Sequence, residues 1–176
     1  MPVHSQRIVS ALQSWDGKTT ATLKQVYDEQ SQQPDFLQTL ITLLNDNTEL
    51  ADGATWLLKH HVENGNELPP EAIENVSVLS NRFQSWPARL HILQLLPILY
   101  WPKAALNNIE KLVRQSLKSD NKFVRAAAYE CFFCLVKYNP HLRDELLSLS
   151  KLAMETESAS VKVKLRQILK GMQTNP

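Results

Sequence analysis

The sequence predicts an all-α fold: a right-handed α-α superhelix, or solenoid, of about five antiparallel helix pairs. Three observations carry the prediction. Only four glycines occur in 176 residues, and strand-like runs of alternating Val, Ile and Thr are absent. Leu is abundant, and Gln, Glu, Lys and Ala, which lose little on entering a helix, fill much of the remainder. Apolar residues recur at helical spacing in ten segments separated by Pro, Gly, Asn and Asp.

The segments follow in order. Residues 3–14 place Val3, Ile8, Ala11, Leu12 and Trp15 on one side, and Asp16-Gly17 turns the chain. Thr19 or Thr20 caps a second helix carrying Leu23, Val26 and Tyr27. Pro34 suits the first turn of a third, with Phe36, Leu37, Leu40, Ile41, Leu43 and Leu44. Thr48 caps a fourth (Leu50, Ala54, Leu57, Leu58, His61), which Asn64-Gly65-Asn66 closes. Pro69-Pro70-Glu71 opens a fifth and Pro87 a sixth. Pro97 must kink or end the sixth, because an interior proline removes a hydrogen bond and clashes with the preceding turn. A seventh follows Trp101-Pro102 and runs to about Lys118. The eighth is the stretch from Asp120 to Val136, and Asn139-Pro140 stops it and starts the ninth. Ser158 or Ser160 caps a tenth that ends at Gly171.

Charge and composition narrow the function. Net charge is +1, where a protein that binds nucleic acid mainly through phosphates carries a larger positive excess. The two cysteines imply no disulfide framework. The N-terminus has no signal-peptide core, and no stretch approaches the roughly eighteen apolar residues of a membrane span. A soluble, cytoplasmic protein without membrane partners is expected.

A repeat underlies the helices. Steps of 37 residues connect Leu50, Pro87, Val124 and Val161, each in the first turn of the second helix of a pair. Four residues further on come Ala54, His91, Ala128 and Leu165; seven on, Leu57, Gln94, Cys131 and Ile168; eight on, Leu58, Leu95, Phe132 and Leu169. Four before lie Asp46, Phe83, Asp120 and Glu157, mainly acidic and at a turn. The acidic turn followed by Val-Arg-x-x-Ala (Asp120, Val124, Arg125, Ala128, and more weakly Asp46, Leu50, Ala54) resembles the HEAT-repeat family within the armadillo-like folds. Arg125 is the only arginine in its column, beside Ala51, Ala88 and Lys162. The resemblance implies one domain over residues 1–176. Residues 1–33 would be an N-terminal capping pair and residues 34–171 four HEAT-like repeats.

In such stacks the second helices line the concave side. Columns two, five, six and nine residues after the anchors then point away from the core. They contain Asp52, Thr55, Trp56 and Lys59; Arg89, Ile92, Leu93 and Leu96; Ala126, Tyr129, Glu130 and Phe133; and Val163, Arg166, Gln167 and Lys170. Trp56, Lys59, Arg89, Ile92, Tyr129, Glu130, Phe133 and Arg166 are the candidate partner-binding residues. Aromatic and arginine side chains are the usual anchors of an interface. Two readings stand: a binding groove, or a helical phase one residue off that makes these positions core.

Chemistry is sparse. Cys131-Phe132-Phe133-Cys134 lies inside a helix, away from the N-terminus that activates a redox thiol, and reads as ordinary buried thiols. A zinc site needs further ligands. His60 and His61 are adjacent and diverge on a helix; His91 falls in a core column, and His141 follows a proline at the surface. No phosphate loop, nucleophile elbow or zinc-protease motif occurs. The tenth helix carries Lys162, Lys164, Arg166 and Lys170 and no acid, as an anion-binding patch or as the polar cap of the last unit. Lys164 stands where other units have Gly53, Leu90 and Ala127, which suits a unit with no successor. The expected function is a non-enzymatic protein–protein scaffold or adaptor, without cofactor or metal, binding a protein or peptide on the concave face. The alternative is DNA-backbone binding, by analogy with small HEAT-like repair proteins.

Overall fold

Proline and asparagine set the helix boundaries. The structure, a computed structural model, describes residues 3–174. Among them ten α-helices and no strand occur: α1 Val3–Ser14, α2 Ala21–Gln30, α3 Phe36–Asp46, α4 Ala51–Glu63, α5 Pro70–Ser80, α6 Trp86–Leu95, α7 Leu106–Ser116, α8 Lys122–Tyr138, α9 Arg143–Thr156 and α10 Ala159–Thr174. Pro70 and Pro87 sit in first turns, where a missing N–H costs nothing. Pro97 ends α6, and the chain leaves it through a 3-10 turn at Leu96–Ile98. Gly65 takes φ +86° after α4, a left-handed conformation that a side chain would oppose.

Several boundaries differ from the expectation. Pro34 lies in the turn before α3 rather than inside it. Asn47, not Thr48, caps the fourth segment: its side chain accepts from the Glu49 amide, and Thr48–Leu50 is a 3-10 turn leading into α4. Asn121 does the same for α8, accepting from the amides of Phe123 and Val124. Asn at the N-cap position accepts from the amides of the first turn, the preferred use of that residue there. Ser160 lies within the first turn of α10, which continues past Gly171 to Thr174. The side chain of Val3 lies outside the described residues.

The helices pack as two rows. In one, α2, α4, α6, α8 and α10 each lie against the next; in the other, α1, α3, α5 and α7 do, and each hairpin joins the rows. The first pair belongs to the same rows, since α1 meets α3 and α2 meets α4. Side-chain links between neighbours span from 27 residues of sequence (Asn81 to Asn108) to 39 (Asn66 to Tyr27), several of them near 37. Arg82 Nη1 donates to Asn45 Oδ1, 37 residues away. The Trp101 amide donates to the Tyr138 hydroxyl, also 37 away. Thr55 Oγ1 meets His91 Nδ1 at a separation of 36, and Cys131 Sγ donates to Leu93 O at 38.

The core runs between the rows. Leu50, Val124 and Val161 are all buried, with Ala54, Leu57 and Leu58, Ala128, Cys131 and Phe132, and Leu165 and Ile168. Each such leucine or phenylalanine contributes about 1.5–3 kcal/mol by leaving water. In α6 three of the four expected columns fail: Pro87 and His91 are half-buried and Gln94 is exposed, while Leu95 is buried as expected. Ala88, Ile92, Leu95 and Leu96 together fill the core at the same spacing, one residue later. Pro87 is suited to a helix start but not to a tightly packed first-turn contact, and the alanine after it takes that place.

Candidate interaction surface of the even-numbered helices

Arg125 heads α8 and holds its own turn. Its Nη1 donates to Ser119 O at 2.7 Å, six residues back, and to Asp120 O at 3.0 Å. Arg89 Nε donates to Phe83 O at 2.7 Å, again six residues back. Lys162 Nζ donates to Glu155 O at 3.3 Å. The one-residue shift in α6 therefore aligns Arg89 with Arg125 and Lys162 as a column of cations; the two arginines tie their helices to the turn before, and Lys162 ties α10 to the end of α9. Arg89, expected on the open face, is half-buried and committed to this turn. Arg125 also reaches forward to Glu157, whose carboxyl it holds below the usual range.

The remaining predicted positions divide by which neighbour they face. With α6 read one residue later, the fifth column is Thr55, Leu93 and Tyr129, all buried and covered by the next even helix. Ile92 and Tyr129, expected in the groove, are thus core residues: the shift of α6 turns Ile92 into the column of Ala54 and Ala128, and the following helix packs over Tyr129. In α10 no following helix is present among the described residues, and Arg166 in that column is exposed. The third column faces backward. A Cβ at Gly53 would stand 2.5 Å from Leu12 Cδ2 and 3.3 Å from Trp15 Cε3. Lys164 likewise reaches back to Glu130 of α8, at 2.9 Å, so its charge answers its predecessor rather than marking an open end.

What stays partly open along the row is Trp56, Lys59, Glu130, Phe133 and Arg166. Trp56 stacks on His60, with centroids 4.7 Å apart. Phe133 lies against the backbone of Gly171, where a Cβ would approach its Cζ to 3.0 Å. Lys59 pairs with Glu63 at 2.7 Å. Lys59 and Glu130 are matched by Glu63 and Lys164, Arg166 is exposed without an ion pair among the described residues, and aromatic surface lies among these charges. Two large aromatics that the column argument missed, Trp86 and Phe123, are 49% and 53% exposed in the first turns of α6 and α8. They precede the anchors by one residue, outside the columns searched; their spacing of 37 residues was the available signal.

Burial perturbs several titratable side chains. Burial pushes the His91 ring down to about 4. Thr55 donates to Ala51 O at 2.7 Å, which leaves its oxygen to accept from a neutral His91 Nδ1–H. His61 Nδ1 lies 3.3 Å from the Tyr27 hydroxyl, and burial lowers its pKa. Cys131 and Cys134 are free thiols, both pushed up by burial. His141 is exposed. Among the described residues no three His, Cys, Asp or Glu side chains gather to hold a metal ion, and no helix is long and apolar enough to cross a membrane. Compared with protein-family models, curated proteins and solved structures, the chain matches none.

Proposed function

We propose that the protein is a non-enzymatic protein-binding scaffold: a HEAT-like, right-handed superhelix whose even helices form the concave binding face. The observation that carries this reading is the pairing of charge beside open aromatic surface. Lys59 is answered by Glu63, Lys164 by Glu130 and Arg125 by Glu157, while Trp56 and Phe133 stay partly open. A phosphate backbone needs a run of unanswered cations. A protein partner suits matched charges around aromatic anchors. The packing of each even helix against the next supports the repeat on which the superhelix rests.

The test compares wild type with a Trp56→Ala, Arg166→Glu variant of equal melting temperature, each used to capture proteins from the native host. The same preparations are titrated with duplex DNA. Loss of the captured protein in the variant, with negligible DNA binding in both, is expected. Equal capture by both proteins, or salt-dependent DNA binding that the variant loses, would contradict the proposal.

A further inference from the structure

We infer that the groove between the α4–α5 and α6–α7 connections takes an extended, basic peptide segment carrying apolar side chains. Prolines open this groove. Pro69-Pro70 on one side, and Pro97 and Pro102 on the other, keep the connections from continuing as helix, because proline has no N–H and disfavours helix in the residue before it. Leu99 is extended, at φ −102° and ψ 154°, and so are Pro69 and Pro102. Between the two connections lies an open cavity of about 520 Å³, lined by Val62, Leu68 and Ile73 and, across from them in sequence, by Ile98, Leu99 and Tyr100. Ile98 is 57% exposed and Tyr100 82%. The Tyr100 ring lies 6.1 Å from that of Tyr138, centre to centre, and leaves most of its surface open.

Backbone and charge select the occupant. The amides of Glu67, Leu68 and Tyr100 donate to no atom among the described residues. An extended stretch with unpaired amides pairs with a second extended chain, whose side chains alternate between the groove and its rim. Charge then sets the sign of that chain. Residues 62–74 hold four glutamates and no Lys or Arg, and residues 96–102 hold no charged side chain. Lys59 answers Glu63. Glu67, which lines the cavity, and Glu71, next to Pro70, make no ion pair among the described residues, and Lys103 pairs with neither. A segment that lays Leu or Ile in the cavity and Lys or Arg against Glu67 and Glu71 meets both needs.

The inference shares with the scaffold reading only the premise that the partner is a protein, and it uses different residues. The test is a display selection of random peptides on the full chain. Selected peptides are then re-tested on an Ile98→Ser, Tyr100→Ala variant and, separately, on Glu67→Lys, Glu71→Lys, each with a wild-type melting temperature. They are also re-tested after N-methylation of alternate peptide amides, and sedimentation of the protein alone is measured in parallel. Peptides enriched in Lys and Arg together with Leu, Ile or Phe are expected, weakened roughly tenfold or more by either variant and by N-methylation in one of the two registers. An empty selection overturns the inference, as do peptides indifferent to both variants or to N-methylation in either register. Basic peptides without apolar residues, sensitive to the glutamates alone, would reduce the groove to surface charge and overturn it too. Self-association lost with Ile98 and Tyr100 would assign the groove to a second copy instead. An empty selection alongside partner capture sensitive to Trp56 and Arg166 removes the groove and leaves the scaffold reading standing.

Discussion

Arg125 lies fork to fork on Glu157, with Nε 2.5 Å from Oε1 and Nη2 2.8 Å from Oε2. The pair joins the first turn of α8 to the turn before α10, while the same guanidinium holds Ser119 O. Both side chains are mostly covered, at 21% and 12% exposed. A double-mutant cycle of Arg125→Ala and Glu157→Gln should return a coupling of about 1 kcal/mol in urea unfolding. Arg125→Lys should lose most of it, because an ammonium cannot make the paired contact. A coupling indistinguishable from zero would show that the fork does not hold these two units together.

Gly53 sits where α4 meets the first hairpin. Alanine there gains about 1 kcal/mol of helix propensity but crowds Leu12 and Trp15. Leu12 is 5% exposed and has little room to retreat, so Gly53→Ala should destabilise the protein by about 1 kcal/mol. In a Leu12→Ala background the 2.5 Å contact is gone, only the 3.3 Å approach to Trp15 remains, and the same substitution should stabilise. Thermal unfolding of the four proteins checks the change of sign.

His91 predicts a pH dependence. Its folded pKa of about 4 lies below the ordinary 6.5 because burial disfavours the charged ring. Below pH 6.5 the unfolded chain takes up a proton that the folded one refuses until about pH 4. Stability is therefore complete above 6.5 and falls across that window, by an amount on the order of 3 kcal/mol. His60 and His61, also lowered by burial, contribute in the same direction. His91→Gln should flatten its share of the slope between those two pH values, measured by urea midpoints. An unchanged slope would place His91 in contact with water.

The helices were legible in the sequence wherever a breaker stood beside a periodic run. α1, the proline starts of α5 and α6, and the end of α6 at Pro97 all fall as expected. The phase of α6 was not legible. Leu90, Ile92, Leu93, Leu95 and Leu96 place apolar side chains nearly all round, so periodicity selects no face. Pro87 was a suitable helix start but a misleading anchor. Of the predicted surface, Trp56, Lys59, Glu130, Phe133 and Arg166 remain at least partly open, while Ile92 and Tyr129 are covered. Covering by the next helix is a contact between units, and the pattern within one helix does not contain it.

The cysteines give a chemical check. Burial raises both thiols, and Cys131 is wholly enclosed, with its Sγ donating to Leu93 O at 3.0 Å. A thiol reagent at neutral pH should modify Cys134 slowly and leave Cys131 intact until the protein unfolds. Rapid modification of both in the native protein would contradict the packing of α8 on α6.

The scaffold proposal meets its most direct test in photocrosslinking within the native host. A benzophenone amino acid replaces Trp56 on the even row and, in a second protein, Val78, which is exposed on α5 of the other row. The account predicts a discrete protein adduct from position 56 and none from position 78. Equal adducts from both positions, or a nucleic-acid adduct from position 56, would contradict it.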